Sequence, residues 1–324
     1  MSEPVALSRR ELARLITGIE NGDAAALQRA KALHASAGGA SVVGITGAPG
    51  TGKSTLVAAL TKEARIRNRT VAILSIDPSS PFSGGAILGD RIRMRELSGD
   101  AGVFIRSMAN RGAKGGLAHA AADVSAVLAA AGYHYIFLET VGAGQAEVDV
   151  ARVADTVVVV EAPGMGDDVQ AIKAGILEIA DILVVNKADR DGADATVAAL
   201  KAALELGEAT SGHHGLSLPT AIHANDSSRR MPLIKTVATK GQGIAELLNA
   251  IEQHSTQMLQ NAELRRQRAE AEIMLRLGQL LMAEGERRLD RDALLRWATA
   301  CATHEAHPDD AARDLLRSIL PDTL

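Results

Sequence analysis

Ser41-Val-Val-Gly-Ile-Thr-Gly-Ala-Pro-Gly-Thr-Gly-Lys-Ser-Thr55 decides how this chain is read. A short apolar strand carried by Val42, Val43 and Ile45 runs into Gly47, Ala48, Pro49, Gly50, Thr51, Gly52, Lys53 and Ser54. Thr55 follows, and an apolar helix takes over with Leu56, Val57 and Leu60. The loop fits G-x-x-x-x-G-K-[ST] at every fixed position and sits between strand and helix, as a phosphate-binding loop must. Gly47, Gly50 and Gly52 permit a tight turn whose N–H groups reach phosphate oxygens, and the helix adds the positive end of its dipole. Lys53 is placed to neutralise the β- and γ-phosphates and Ser54 to ligate Mg²⁺.

Outward from this loop, apolar runs alternate with helical stretches, the pattern of an α/β domain with a mostly parallel sheet flanked by helices. Thr70-Val-Ala-Ile-Leu-Ser-Ile-Asp77 is a strand ending on Asp77, at the edge where ligands collect in open α/β sheets. The Pro-, Ser- and Gly-rich loop 78–90 follows, and its Asp90 is either a carboxylate approaching the metal or the cap of the next helix. Val103-Phe-Ile-Arg106 is a short strand before a second glycine-rich loop; Arg106, Arg111 and Lys114 either reach phosphate or a partner, or are simply solvated. Tyr135-Ile-Phe-Leu-Glu139-Thr-Val-Gly142 ends a strand on an acid with a glycine three residues on. Nucleoside triphosphatases use this arrangement to hold Mg²⁺ through water and to sense the γ-phosphate with a glycine N–H. Ala143 then stands where small GTPases carry a water-orienting Gln, Gln145 is the nearest replacement, and slow intrinsic hydrolysis is expected.

Two strands later, Ile182-Leu-Val-Val-Asn186-Lys187-Ala188-Asp189 puts N-K-x-D on a strand end. An Asp carboxylate there accepts from guanine N1–H and the exocyclic amine, which adenine does not offer, so GTP is favoured over ATP. Leu233-Ile-Lys-Thr-Val-Ala238 is the expected last strand, with Thr236, Val237 and Ala238 near the base and backbone N–H groups toward the guanine carbonyl. His213, His214 and His223 lie in a polar stretch, 207–232, and read as surface loop rather than metal site.

Composition narrows the class. The net charge is −4 and aromatics make up 2%, against a nucleic-acid binder, which needs a basic stripe or stacking rings. The single cysteine, Cys301, excludes an intramolecular disulfide, and no apolar run is long enough to span a bilayer, so a cytoplasmic protein without membrane or nucleic-acid partners is expected. The expected organisation is an N-terminal helical extension at 1–40, opened by a capping box at Ser8 and Glu11, a nucleotide domain at 41–254, and a C-terminal helical extension at 255–324. Its first helix, expected to run unbroken from Ser255 to Leu289, has Ile273, Leu277, Leu280 and Leu281 on one stripe, which either packs back on its own domain or forms a dimer arm.

Together, G-A-P-G-T-G-K-S-T at 47–55, D-P-S-S at 77–80, G-G-A-I-L-G-D at 84–90, E-T-V-G-A-G-Q at 139–145, P-G-M-G-D-D-V-Q-A-I-K at 163–173 and N-K-A-D at 186–189 resemble the MeaB/ArgK/MMAA family of GTPases. The resemblance covers about residues 40–190. It implies a homodimeric, GTP-hydrolysing chaperone that gates cofactor loading and protection of an adenosylcobalamin-dependent acyl-CoA mutase. It further implies that Lys53 and Ser54 hold phosphate and Mg²⁺, that Asp77, Asp90 and Glu139 form the acidic metal and switch set, and that Asn186 and Asp189 read guanine. Asp167, Gln170 and Lys173 correspond to the family's additional switch, which couples the partner to the nucleotide site. The rival readings are a nickel-inserting metallochaperone GTPase, which needs a Cys or His cluster near the switches, an ATPase or kinase serving amino-acid transport, and a GTP-gated scaffold without useful turnover.

Overall fold

The computed structural model describes residues 5–77, 95–109, 116–140, 150–164, 177, 179–210 and 231–319. Within them the strands β1 (Ser41–Thr46), β2 (Val71–Asp77), β3 (Val103–Ala109), β4 (Tyr135–Thr140), β5 (Thr156–Glu161), β6 (Ile182–Val185) and β7 (Leu233–Lys235) form one parallel sheet in the order β3-β2-β4-β1-β5-β6-β7. Their near-continuous apolar sequences follow from burial on both faces. On one face α3 (Lys53–Ile66) and α6 (Ile244–Gln260) bury Leu56, Leu60, Leu247 and Ile251 against Val43, Ile45, Phe137 and Val158. On the other, α1 (Arg9–Glu20), α2 (Ala24–His34) and α4 (Gly116–Ala130) bury Leu12, Ile16, Ile19 and Val124 against Leu74, Ile136 and Leu138. A further cluster joins α5 (Ala193–Thr210) to β5 and β6 through Leu200, Val159, Leu183 and Val185.

The capping box forms as the sequence predicts: Ser8 N donates to Glu11 Oε2 at 2.9 Å, and the Ser8 hydroxyl accepts from Glu11 N at 3.3 Å. The helix it starts buries its apolar stripe in the core it shares with the sheet. Arg106 of β3 secures it, donating to Glu20 Oε2 at 2.5 Å and Thr17 Oγ1 at 2.9 Å, with Glu20 only 3% exposed. Arg106 therefore serves the attachment of α1 to the sheet, and its expected alternatives of phosphate, partner or solvent give way to that role; Arg111 and Lys114 lie outside the described residues.

The helix after Gly243 runs to Gln260. The expected unbroken helix 255–289 is divided instead at Asn261, whose side chain accepts from Glu263 N and Leu264 N at 3.1 Å each. α7 (Ala262–Arg288) starts there, followed by α8 (Arg291–Ala302), capped by Asp290, and α9 (Pro308–Ile319). The chain divides into compact units at 1–269 and 270–324. His254 Nδ1 lies 2.9 Å from Thr156 Oγ1, Ser255 Oγ lies 2.5 Å from Ser41 Oγ, and Arg268 binds Asp155 Oδ1 at 2.9 Å, so residues past 254 are tied to the lower end of the sheet. No helix among the described residues is long and apolar enough to cross a membrane.

Candidate nucleotide site

The site forms where β1, at the centre of the sheet, gives way to the glycine loop and α3. Gly47 has φ +136°, and a Cβ there would lie 2.1 Å from the Val160 carbonyl oxygen, so only glycine lets the loop leave the sheet at this point. α3 starts after Gly52, in the left-handed region at φ +94°, with no side-chain cap on its first N–H groups. A helix start without a side-chain cap presents its N–H groups to an anion. Lys53 is 7% exposed and its ammonium donates to Gly47 O at 2.7 Å and Ala48 O at 3.1 Å, which centres the charge in the loop. Thr51 is fully buried, with its hydroxyl on Ala48 O at 2.9 Å, whereas Pro49, Gly50 and Thr55 face solvent.

The parallel register sets Glu139 of β4 beside Ile45 of β1. From there it meets the first turn of α3: the Ser54 hydroxyl donates to Glu139 Oε1 at 2.5 Å, with Glu139 1% exposed. A hydroxyl and a carboxylate in contact at the foot of a phosphate loop are hard oxygen donors of the kind Mg²⁺ takes, so this pair fits the ion. β2 ends on Asp77 in the neighbouring strand position, as the sequence predicts. The Asp77 side chain, Asp90, Gly142, Gln145, Asp167, Gln170, Lys173 and the three histidines of 207–232 lie outside the described residues.

At the end of β6 the N-K-x-D residues divide their tasks. Asn186 is 2% exposed and donates to Thr51 O at 2.9 Å, while its Oδ1 accepts from Thr236 Oγ1 at 3.1 Å and Ala238 N at 3.2 Å. Lys187, at φ +58°, donates to Gly50 O at 2.6 Å. Both side chains therefore join the phosphate loop to the base side of the site. Asp189 points outward instead, and its Oδ2 accepts from Lys240 Nζ at 2.8 Å. The Lys240 ammonium holds the Asp189 carboxyl below the ordinary carboxylate value.

The expected strand to Ala238 stops at Lys235, and a 3₁₀ turn, Ala238–Lys240, follows. Two amides of the expected trio already have partners: Thr236 N donates to Val185 O at 2.9 Å and Val237 N to Gln242 O at 3.0 Å. Ala238 N, the third member of the expected trio, donates to the Asn186 side chain. Motif reading did not find Lys240, because it stands outside N-K-x-D and pairs with it only across the fold.

A phosphate loop on the central strand, an acid on the adjacent strand and N-K-x-D two strands away define a P-loop nucleoside triphosphatase of the guanine-nucleotide kind. The family model described as methylmalonyl-CoA mutase-associated GTPase MeaB matches residues 12–287, and the chain belongs to that family, as a GTPase that binds guanine nucleotide. A protein of Pyrococcus abyssi, named only as a candidate GTPase, is 45% identical over 315 residues, 96% of this chain and 93% of its own length. The mouse mitochondrial methylmalonic aciduria type A homolog is 35% identical over 222 residues, 68% of this chain and 51% of its own. The crystal structure of a LAO/AO transport system kinase superposes with a TM-score of 0.63 at 22% identity, covering 97% of this chain and 99% of that one, and so shares the fold.

Proposed function

We propose that this GTPase is a chaperone of an adenosylcobalamin-dependent acyl-CoA mutase, gating cofactor loading and protection by binding and hydrolysing GTP. The observation that carries the proposal is the match of the mutase-associated family model over residues 12–287, which takes in the whole nucleotide site. The relationship to a methylmalonic aciduria homolog supports the same partner class.

In this reading the loop amides and the start of α3 bind the β- and γ-phosphates, and Lys53 exchanges its two loop carbonyls for phosphate oxygens. Ser54, with Glu139 behind it and Asp77 and Asp90 in the acidic set, would hold Mg²⁺, which would supply charge neutralisation at the phosphates. Gly142 reports the γ-phosphate, Asp189 reads guanine, and Ala238 N faces its carbonyl. With Ala143 in place of a water-orienting Gln, turnover is slow until the mutase engages the segment holding Asp167, Gln170 and Lys173 and completes the site, with Gln145 the nearest replacement for the missing Gln. The exposed Ile273, Met274, Leu277, Leu280 and Leu281 on α7 supply an apolar face for a homodimer.

The test is GTP turnover of the purified protein alone and with candidate mutases of the methylmalonyl-, isobutyryl- and 2-hydroxyisobutyryl-CoA types. Stimulation by one of them is the expected result. Unchanged turnover with every mutase, despite tight GTP binding, would leave the scaffold reading.

A further inference from the structure

Asp189 and Lys240 are each mounted on anchored backbone. Ala188 N donates to Thr236 O at 3.0 Å, stapling the N-K-x-D loop to the segment that follows β7. That segment closes on itself through Val237 N to Gln242 O at 3.0 Å and Lys240 N to Val237 O at 2.9 Å, and Gly241 completes the turn at φ +70°. Between these two supports the Lys240 ammonium sits 2.8 Å from Asp189 Oδ2. The side chains are 57% and 38% exposed, so nothing in the core requires the pair.

A carboxylate has about four lone-pair directions. Guanine uses one on each oxygen, for N1–H and for one hydrogen of the 2-amino group, which leaves room on Oδ2 for Lys240. The ammonium and the base therefore fit the carboxylate together. Without Lys240, a half-exposed Asp samples several rotamers and each binding event must first orient it, whereas a fixed carboxylate is ready for the two-bond contact. We infer that Lys240 is a positioning residue for guanine recognition, holding Asp189 in the orientation that accepts both N–H groups of the base. This rests on the reading of Asp189 as the base-reading residue.

The experiment titrates GDP, IDP and XDP into the full-length protein and its Lys240→Met, Lys240→Arg and Asp189→Asn variants at one fixed ionic strength, with thermal melts alongside. Inosine keeps N1–H but lacks the 2-amino group, so it makes only one of the two carboxylate bonds. Lys240→Met is expected to weaken GDP by about fivefold, the upper end for an exposed ion pair, and IDP by less, so that the GDP-over-IDP preference shrinks. Lys240→Arg restores that preference. An unchanged preference in Lys240→Met, equal losses for both nucleotides, or tighter GDP binding would each overturn the inference, the last by making Lys240 a competitor for the carboxylate. Asp189→Asn separates the two ideas. A shift toward XDP with a silent Lys240→Met removes only the role of Lys240, whereas an unaltered base preference in Asp189→Asn removes the reading of Asp189 and the inference with it.

Discussion

Asn186 donates its side-chain amide to the carbonyl of Thr51 at 2.9 Å, so the strand end that carries N-K-x-D is bolted to the phosphate loop from beneath. The same side chain takes Thr236 Oγ1 and Ala238 N on its oxygen. Three segments far apart in sequence meet at one buried amide. Asn186→Ala leaves a buried hydroxyl, amide and carbonyl short of a partner, and the expected cost is about 2–3 kcal/mol of stability with GDP affinity down more than tenfold. Urea denaturation without nucleotide, together with a GDP titration, measures both. Loss of affinity with full stability would mean that Asn186 acts on the base rather than on the loops.

Gly52 lies directly over that amide. A Cβ at this position would stand 2.6 Å from Asn186 Nδ2, and the backbone is at φ +94°. Gly52→Ala combines a left-handed penalty of about 1–2 kcal/mol with displacement of Asn186, so both GTP binding and turnover are expected to fall by at least tenfold. Wild-type turnover in this variant would show that the loop does not hold the geometry described.

The contact of Ser54 with Glu139 at 2.5 Å gives a metal-specific expectation. Ser54→Ala removes a metal oxygen and leaves Lys53 and the loop amides in place. The Mg²⁺ concentration for half-maximal turnover is expected to rise about tenfold or more, while GDP binding in excess chelator changes little. Parallel Mg²⁺ titrations of turnover decide it, and an unchanged Mg²⁺ requirement would remove Ser54 from the metal site.

Arg106 and Glu20 provide the control for roles outside the site. Their bond is 2.5 Å long and the Glu20 side chain is 2% exposed, so Arg106→Met strands a buried carboxylate. The expected cost is about 3–5 kcal/mol, with much of it recovered when Glu20→Leu is added. GTP turnover per folded molecule is expected to stay at the wild-type value in the double variant. A selective loss of turnover there would return Arg106 to the phosphate chemistry.

Much of the sheet was legible because buried parallel strands announce themselves as unbroken apolar runs. β2, β4, β5 and β6 end at or within a residue or two of where Val, Ile and Leu give way to Asp77, Glu139, Glu161 and Asn186. The ends of the last strand and of the C-terminal helices were harder. β7 stops at Lys235 although Thr236-Val237-Ala238 continues a strand-like sequence, because Val237 turns to bridge Gln242. The helix break at Asn261 depends on one side chain capping the next helix, in a stretch of otherwise uniform helix formers.

The sequence by itself determined the class of chemistry, because phosphate and guanine recognition need fixed residue types at short spacings. G-x-x-x-x-G-K-S at 47–54 and N-K-A-D at 186–189 each lie within a single turn of chain. Only the tertiary structure decided which of those residues face outward and which hold the site together. Asn186 and Lys187 are drawn onto the phosphate loop, Asp189 is met by Lys240, Ser54 is brought to Glu139, and Arg106 is given to α1. Each of these pairings spans many residues of chain, and a contact of that kind is fixed by the register of the sheet and by the packing of helices on its two faces. Neither can be read from a local pattern.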